Sequence, residues 1–453
     1  MVKKNLDPSN SSLNMDQLRA SLSALIPDPK QSSNFAATLN FTNCVLGAGI
    51  IGTGGAIASS GFTISIFTLV LCALLTRISL DMIIRLGDTR NGANFEKLGE
   101  LAFGNLGKKI VGGAKFLYSF GCCCAYIVVI RKNLGSGLIN ISSCSTSLCK
   151  SVFNDEVFCT IVCLTLVLPL SLKRNLDSLS RFSFISVCCV VLIASIVFSE
   201  FLDRDPLTYS DNTLYFEVRS GYISSLGTFV FAFVSQHTHN GIYSSMKNQT
   251  PKDWEQVSLY SITIACTVTV LTGSFAYLTF GLETTSDLFT VYHESVQVDL
   301  AEILLSFTMI FTFPMPFYTC RALVGEWFFS VQEVGGGEFE VEDMEEALLK
   351  AEGGGEEEEV EEAKLSNFQW TVTSLGLFAV SLTIALTAPN LGAVLDFVGC
   401  ASGSAIAFIL PAAIFVKLEN HWTPKVVVMA IVGAFVGIVG TGFAVANIIF
   451  PSD

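Results

Sequence analysis

The chain has 453 residues, of which 51% are hydrophobic and only 15% are charged, and its mean hydropathy is +0.56. A water-soluble domain of this length covers its surface with many more charged side chains, so the composition excludes that class and indicates a polytopic membrane protein. The net charge of −14 comes almost entirely from residues 331–363, which contain 14 acidic residues and one lysine.

Eleven apolar segments follow a polar start of the chain. Residues 1–33 are polar and contain three prolines, which predicts a disordered cytosolic tail. A bilayer crossing needs roughly 20 apolar residues in a helix. On that measure the predicted spans are 35–58, 61–86, 110–137, 156–172, 179–202, 220–245, 255–281, 297–328, 367–388, 391–416 and 424–449.

The first span contains five glycines within residues 47–55. Each glycine destabilises a helix by about 1 kcal/mol relative to alanine. Unwound backbone is tolerated inside a membrane only where it lines a cavity or is buried in protein. The pattern therefore predicts a broken helix at a binding site near the bilayer midplane. Close helix packing through small residues is the alternative interpretation.

The sixth span contains six consecutive polar residues, Ser235 to Asn240. Burying this run in lipid would cost several kcal/mol. If the span ended at Val234, however, the segment 221–234 would be too short to cross the bilayer. These two facts predict a second broken helix. Spans one to five and six to ten then form two sets of equal, odd number, so the second set is inverted relative to the first.

The predicted fold is thus an all-α integral membrane protein with 11 transmembrane helices in a five-plus-five inverted repeat, with helices 1 and 6 broken. The first repeat covers 35–202, an outside loop covers 203–219, the second repeat covers 220–416, and one extra C-terminal helix covers 424–449. Lysine and arginine in the short loops predict a cytosolic N-terminus and an outside or lumenal C-terminus, in the plasma membrane or an endomembrane. The acidic loop 331–363 is then cytosolic, as a flexible linker or as a docking site for a cytosolic partner.

Most of the 14 cysteines lie in apolar segments, where they act as small hydrophobic residues. Cys144 and Cys149 lie instead in a polar loop and are candidates for a disulfide, with Cys159 as an alternative partner. Asn140 begins a glycosylation sequon on the predicted outside face. No cysteine and histidine spacing typical of a zinc site is present.

Four motifs in the predicted spans resemble the amino acid/auxin permease family, and most closely its sodium-coupled neutral amino acid transporter branch. They are Asn43 with the glycine run 47–52, the aromatic stretch 229–236 followed by Ile242 and Tyr243, the element 275–281, and Thr312-Phe313-Pro314 with Arg321. The resemblance covers about residues 35–410.

The resemblance implies uptake of small neutral amino acids driven by a sodium gradient, with sodium as a co-substrate and without a cofactor. It also implies a sodium site between the first and eighth spans. On the matching positions the ligands would be Asn43, the Leu46 carbonyl, Thr308 and Thr312. Amide, hydroxyl and carbonyl oxygens are the ligands that hard cations prefer.

The substrate site is predicted at the two helix breaks. The backbone N–H groups of the first break would bind the substrate carboxylate, and backbone carbonyls of the sixth span would bind its ammonium group. The residues are Leu46, Gly47, Ala48 and Gly49 for the carboxylate, and the carbonyls of Phe231 to Ser235, including Phe233, for the ammonium. Tyr118, Cys122, Ser235 and Gln236 are predicted to select the substrate side chain.

Three other functions are weighed against this hypothesis. Proton coupling needs a titrating group in the pathway, and His237, His239, Glu302 and Asp396 are the candidates, the last two near predicted outer ends of their spans. A sensor would bind an amino acid without transport and signal through the acidic loop. An enzyme is not predicted, because no nucleophile triad, paired carboxylate or metal-ligand constellation lies across the spans. No nucleic-acid partner is predicted.

Overall fold

A computed structural model describes residues 32–141, 156–173, 180–203, 215–293, 295–329, 366–388 and 390–449. Within these residues the regular structure is helical, apart from one isolated bridge that pairs Ser32 with Met246. The helices are α1 (Asn34–Val45), α2 (Gly49–Ser60), α3 (Phe62–Asp88), α4 (Phe95–Ile141), α5 (156–171, π-helical at Cys163–Val167), α6 (Ser180–Leu202), α7 (Tyr222–Phe231), α8 (His239–Ser245), α9 (Pro251–Phe280), α10 (Val296–Thr312), α11 (Pro314–Phe329), α12 (Asn367–Thr387), α13 (Leu391–Glu419) and α14 (Pro424–Ile449).

Eight stretches of the described residues are helical, long and apolar enough to cross a membrane, and α1 with α2 forms a ninth, bent by 48° at its break. The helices α5 and α7 are apolar but shorter. Each of the eleven predicted spans coincides with a helix or a pair of helices. The protein is therefore an all-helical, multi-pass membrane protein with eight or nine spans on this measure. The five-plus-five inverted arrangement of eleven spans stays a prediction.

The third span differs from its predicted extent because α4 begins at Phe95 rather than near residue 110. Its first two turns carry charged residues, which the hydropathy pattern excluded from the membrane. A kink separates them from the rest of the helix: Phe103 has φ −134° and Gly104 has φ +65°. The positive φ suits glycine, since residues with a Cβ rarely adopt a positive φ.

The core lies around the broken helices. The helix α4 packs against α10, α11, α12 and α13, while α9 packs against α1, α2, α3 and α6. The short helix α7 lies between α2 and α13. Large apolar side chains such as Phe67 and Leu74 of α3 remain exposed on the outside of the bundle. Such an apolar exterior is what a lipid environment requires.

Several predicted features lie outside the described residues. These are the tail up to residue 31, the acidic loop 331–363, the cysteines Cys144 and Cys149, and the side chains of Asn140 and Cys159.

Candidate functional site

The first helix break is made by residues 46–48, between α1 and α2. Leu46 leaves the helical region with φ −78° and ψ +64°. The helix α2 then starts at Gly49 without a side-chain cap, so N–H groups of its first turn face the break rather than a polar side chain. Leu46, Gly47, Ala48 and Gly49, the four residues predicted to bind a carboxylate, all lie in or next to this break and are buried.

The second break is made by residues 232–238, between α7 and α8. The Tyr118 hydroxyl of α4 reaches it, donating to the Phe231 carbonyl at 3.0 Å and the Val234 carbonyl at 3.1 Å. Gln236 Oε1 accepts from the Ser235 N–H at 3.1 Å, and its amide nitrogen donates to Ser79 Oγ at 3.3 Å. Side chains thus replace part of the hydrogen bonding that the interrupted helix has lost.

The two breaks lie against one another because glycine allows it. A Cβ on Gly49 would lie 2.6 Å from Ala232 Cα, and one on Gly47 would lie 2.7 Å from the Tyr126 hydroxyl. Both distances are shorter than real Cβ contacts. The Ala232 backbone leaves no room for a side chain at Gly49, whereas the Tyr126 hydroxyl is the end of a side chain that can shift. The predicted carboxylate-binding and ammonium-binding segments are therefore brought together at the centre of the bundle.

The predicted sodium ligands occupy two helices. Asn43 is in the last turn of α1, 3% exposed, and its Oδ1 has no hydrogen-bond partner among the described residues. Thr308 and Thr312 are one turn apart on α10, and each hydroxyl donates to the carbonyl four residues earlier, at 2.9 and 2.8 Å. The next residue after Asn43, Cys44, contacts Met315 of α11 with 3.5 Å between the sulfur atoms. The sodium site itself stays a prediction.

The predicted selector residues are all buried. Tyr118 and Cys122 lie one turn apart on α4, while Ser235 and Gln236 lie in the second break. The ring of Tyr118 contacts Phe231 and His237, with centroid distances of 5.3 and 5.0 Å. Their part in substrate selection stays a prediction, but Tyr118 has a structural role that the sequence did not suggest, because its hydroxyl holds the broken helix.

His237 and His239 are 7% and 0% exposed, so they are part of the packed interior rather than solvated. His239 Nδ1 lies 2.7 Å from the Gln236 carbonyl. Close to them, Lys115 Nζ and Glu96 Oε1 form a buried ion pair at 2.5 Å, which joins the span portion of α4 to the segment before its kink. No sequence pattern predicts this pair, because the two residues are 19 positions apart across the kink.

A segment between α9 and α10, residues 281–292, closes one face of the bundle, and we call it the capping loop. A Cβ on Gly55 of α2 would overlap the backbone of Thr285 and Ser286, and a Cβ on Gly392 of α13 would lie 2.5 Å from Ser286 Oγ. Asp287 Oδ2 lies 3.5 Å from Lys132 Nζ of α4. A polar cavity of about 210 Å³ lies beside this ion pair, and its lining includes Asp299 and Glu302.

Comparison with known proteins assigns the family. The family model described as "Transmembrane amino acid transporter protein" matches residues 30–450. The chain belongs to this amino acid transporter family. The resemblance to amino acid/auxin permeases is thereby confirmed, and so is the prediction that the protein is a transporter rather than an enzyme.

Relatives in the transporter family are similar at modest identity. "Putative sodium-coupled neutral amino acid transporter 11" of Mus musculus is 27% identical over 431 residues, covering 93% of this chain and 86% of the relative. The Homo sapiens protein of the same name is 25% identical over 395 residues, covering 86% and 89%. "Vacuolar amino acid transporter 2" of Saccharomyces cerevisiae is 25% identical over 385 residues, covering 84% and 76%.

One contact in this transporter was not expected from its sequence. Asp396 of α13 accepts hydrogen bonds at Oδ1 from the Thr228 N–H at 3.0 Å and the Thr228 hydroxyl at 2.6 Å. Thr228 lies one turn before the second break, since its carbonyl accepts from the Ala232 N–H. The only sequence signal for Asp396 was an acidic residue in an apolar span, and that signal placed it near the outer end.

Proposed function

We propose that this protein is a sodium-coupled secondary transporter of small neutral amino acids that works by alternating access. Membership of the amino acid transporter family supports the substrate class. The observation that carries the proposal for the ion is the buried Oδ1 of Asn43, which has no hydrogen-bond partner among the described residues.

A buried carbonyl oxygen without a partner costs about 1–3 kcal/mol, so such an atom in a native site calls for a ligand that satisfies it. The neighbouring Thr42 Oγ1 is also buried and without a partner in the described part of the chain. Both atoms belong to the last turn of α1, where the helix dipole is negative. Oxygen ligands at the C-terminal end of a half-helix are suited to a cation such as sodium.

The first turn of α2 lies at the N-terminal end of its helix, where the helix dipole is positive. Its N–H groups and positive dipole end suit the carboxylate of an amino acid, although the Ile50 N–H donates to the Gly47 carbonyl at 3.3 Å in this arrangement. In the present arrangement the Tyr118 hydroxyl occupies the carbonyls of Phe231 and Val234, which are predicted to bind the ammonium group. We infer that substrate binding exchanges this hydroxyl for the ammonium group. The close approach of Gly49 to Ala232 leaves little width for a substrate side chain, which favours small amino acids.

Alternating access requires that each face can be closed. The capping loop packs against α2 and α13, and its Asp287 pairs with Lys132 of α4. With the N-terminus in the cytosol, as the loop charges predict, this closed face is the outer or lumenal one. The arrangement therefore corresponds to a state in which substrate exchange with that side is blocked.

The test is uptake of radiolabelled alanine into proteoliposomes under a sodium gradient or a proton gradient, imposed separately. Wild type is expected to respond to sodium, and Asn43→Ala and Thr312→Ala are expected to raise the sodium concentration for half-maximal uptake at least tenfold. Thr269→Ala, which removes another buried hydroxyl on α9, serves as the matched control and is expected to behave as wild type.

Two outcomes would contradict the proposal. Uptake driven only by protons and unchanged in Asn43→Ala and Thr312→Ala would reject sodium coupling. Alanine binding without uptake under either gradient would reject transport and favour a sensor.

A further inference from the structure

We propose that Asp396 is a proton-binding residue of the transport cycle and that its hydrogen bonds to Thr228 couple the proton to the broken helix. The proposal rests on the transport activity proposed above, but it does not depend on which ion drives uptake. In each cycle one proton from the water on one side would bind an Asp396 carboxylate oxygen and would leave to the water on the other side.

The position of Asp396 places it within the membrane. Thr228, its hydrogen-bond partner, is one turn from the second break, and a helical turn is about 5.4 Å long. If the break lies at the midplane, the carboxylate is well inside the hydrocarbon region. An acidic side chain at that depth is costly unless it is paired or neutralised by a proton.

The surroundings supply hydrogen bonds but no counter-charge. Both hydrogen bonds that Asp396 Oδ1 accepts come from Thr228, and no basic side chain pairs with it in the described part of the chain. The residue is partly exposed. A carboxylate with two donors, no cation and partial exposure is suited to gain and lose a proton.

The charged and titratable groups on the helices packed against α13 are engaged elsewhere or are neutral thiols and phenols. The helix α2 and residues 441–449 of α14 contain none, and the Tyr222 hydroxyl of α7 lies 3.0 Å from Thr68 Oγ1. The helix α3 also packs against α13 and carries the Cys72 thiol, while its Arg77 pairs with Asp81 and its Arg85 pairs with Glu255. The helix α4 approaches α13 where Gly121 contacts Val398. Of the charged side chains on the adjoining stretch of α4, Arg131 donates to the Leu386 carbonyl and Lys132 pairs with Asp287. The other titratable groups of this stretch are tyrosines 118 and 126 and cysteines 122–124. On α13 itself the nearest titratable group is the Cys400 thiol.

The backbones of α7 and α13 touch at this point. A Cβ on Gly227 would overlap the backbone of Asp396, and a Cβ on Gly399 would overlap Gly227. Beyond this contact α13 continues as two π-helical stretches, Gly399–Gly403 and Ala405–Ile409. Such stretches are frequent at functional sites. A helix pair without intervening side chains passes a small displacement directly from one helix to the other.

Protonation changes the strength of this link. Hydrogen bonds to an ionised carboxylate are roughly twice as strong as those to a neutral carboxyl group. Binding a proton therefore loosens the attachment of Thr228, one turn before Ala232, and Ala232 is the residue that packs against Gly49 of the first break. Proton occupancy at Asp396 is thus linked to the packing of both substrate-binding segments.

The experiment measures proton movement and amino acid exchange separately. Proteoliposomes containing a trapped pH-sensitive dye are assayed for alanine-dependent pH change, and alanine counterflow is measured in the same preparation. Asp396→Asn is expected to reduce the alanine-dependent pH change at least tenfold relative to the counterflow measured in the same preparation, and Asp396→Glu is expected to restore that ratio. Glu302→Gln is the matched control, since it neutralises another buried acidic residue that was a candidate for proton coupling.

A second measurement does not depend on transport. The alanine-induced infrared difference spectrum of the detergent-solubilised protein is expected to contain the carbonyl stretch of a protonated carboxylic acid, shifted in Asp396→Glu and unchanged in Glu302→Gln. Counterflow without any pH change in wild type, proton movement retained in Asp396→Asn, or a band that responds to Glu302→Gln instead would each overturn the assignment. Loss of counterflow in wild type would instead reject the proposed transport function.

Discussion

Replacing Gly55 by alanine is expected to hold the capping loop away from α2 and to slow transport. The new Cβ would lie 2.5 Å from the Thr285 carbonyl carbon and 2.8 Å from Ser286 Cα, and the Ser286 backbone nitrogen is closer still. These are backbone atoms of the loop, so no side-chain rotation can make room for the methyl group.

The neighbouring glycine provides the control. A Cβ on Gly54 would meet the Thr284 Cγ2 at 3.1 Å, and this methyl group can move by a few tenths of an ångström. Both substitutions gain about 1 kcal/mol of helix propensity, because both replace a glycine inside α2. The difference between the two variants therefore isolates the clash with the loop. Overpacking of this kind costs about 1–3 kcal/mol, which corresponds to a roughly 5–150-fold smaller population of the closed state.

Two measurements on the same preparations test this. Alanine counterflow is expected to fall about 5-fold or more in Gly55→Ala and to stay within about twofold of wild type in Gly54→Ala. Hydrogen exchange of the capping loop is expected to be faster only in Gly55→Ala. If Gly55→Ala matches wild type in both counterflow and loop protection, the loop does not close against α2 and the reasoning is refuted.

Three further variants test the interior and the loop. Tyr118→Phe removes two hydrogen bonds and is expected to lower the free energy of unfolding by about 1–3 kcal/mol, seen as earlier thermal denaturation in detergent, whereas unchanged denaturation would contradict a bracing role. Lys115→Met leaves Glu96 buried without its partner and is expected to lower the free energy of unfolding by about 3–5 kcal/mol. Adding Glu96→Gln is expected to recover most of this loss in the same thermal denaturation assay. No recovery would mean that the two residues are not energetically coupled. Burial raises the pKa of Asp287, so the closed capping loop binds a proton more tightly than the open loop. Protection of the loop in hydrogen exchange is therefore expected to weaken as the pH rises from about 4. Asp287→Asn is expected to remove this pH dependence, and a pH dependence that persists in the variant would exclude Asp287 as its source.

The sequence by itself determined which segments are helical and where two of them break. The glycine run 47–55 marks the region of the first break, although only Gly47 lies in the break and the other four glycines are helical in α2. The polar run 235–240 cannot lie in lipid, and most of it lies in the second break. The ends of the predicted spans agree with the helices to within a few residues, except at α4. There the charged turns before the kink hid the true start, because hydropathy reports contact with lipid and not helical structure.

Only the tertiary structure decided which side chains meet. Asp396 and Thr228 are 168 positions apart, and their contact depends on α7 and α13 touching through Gly227 and Gly399. The burial of His237 and His239, the role of Tyr118 at the second break and the closure of the capping loop likewise depend on how helices pack. Periodicity and propensity describe each segment with its nearest neighbours in the chain, whereas a site in a bundle is formed by atoms from helices whose relative positions the chain order does not specify.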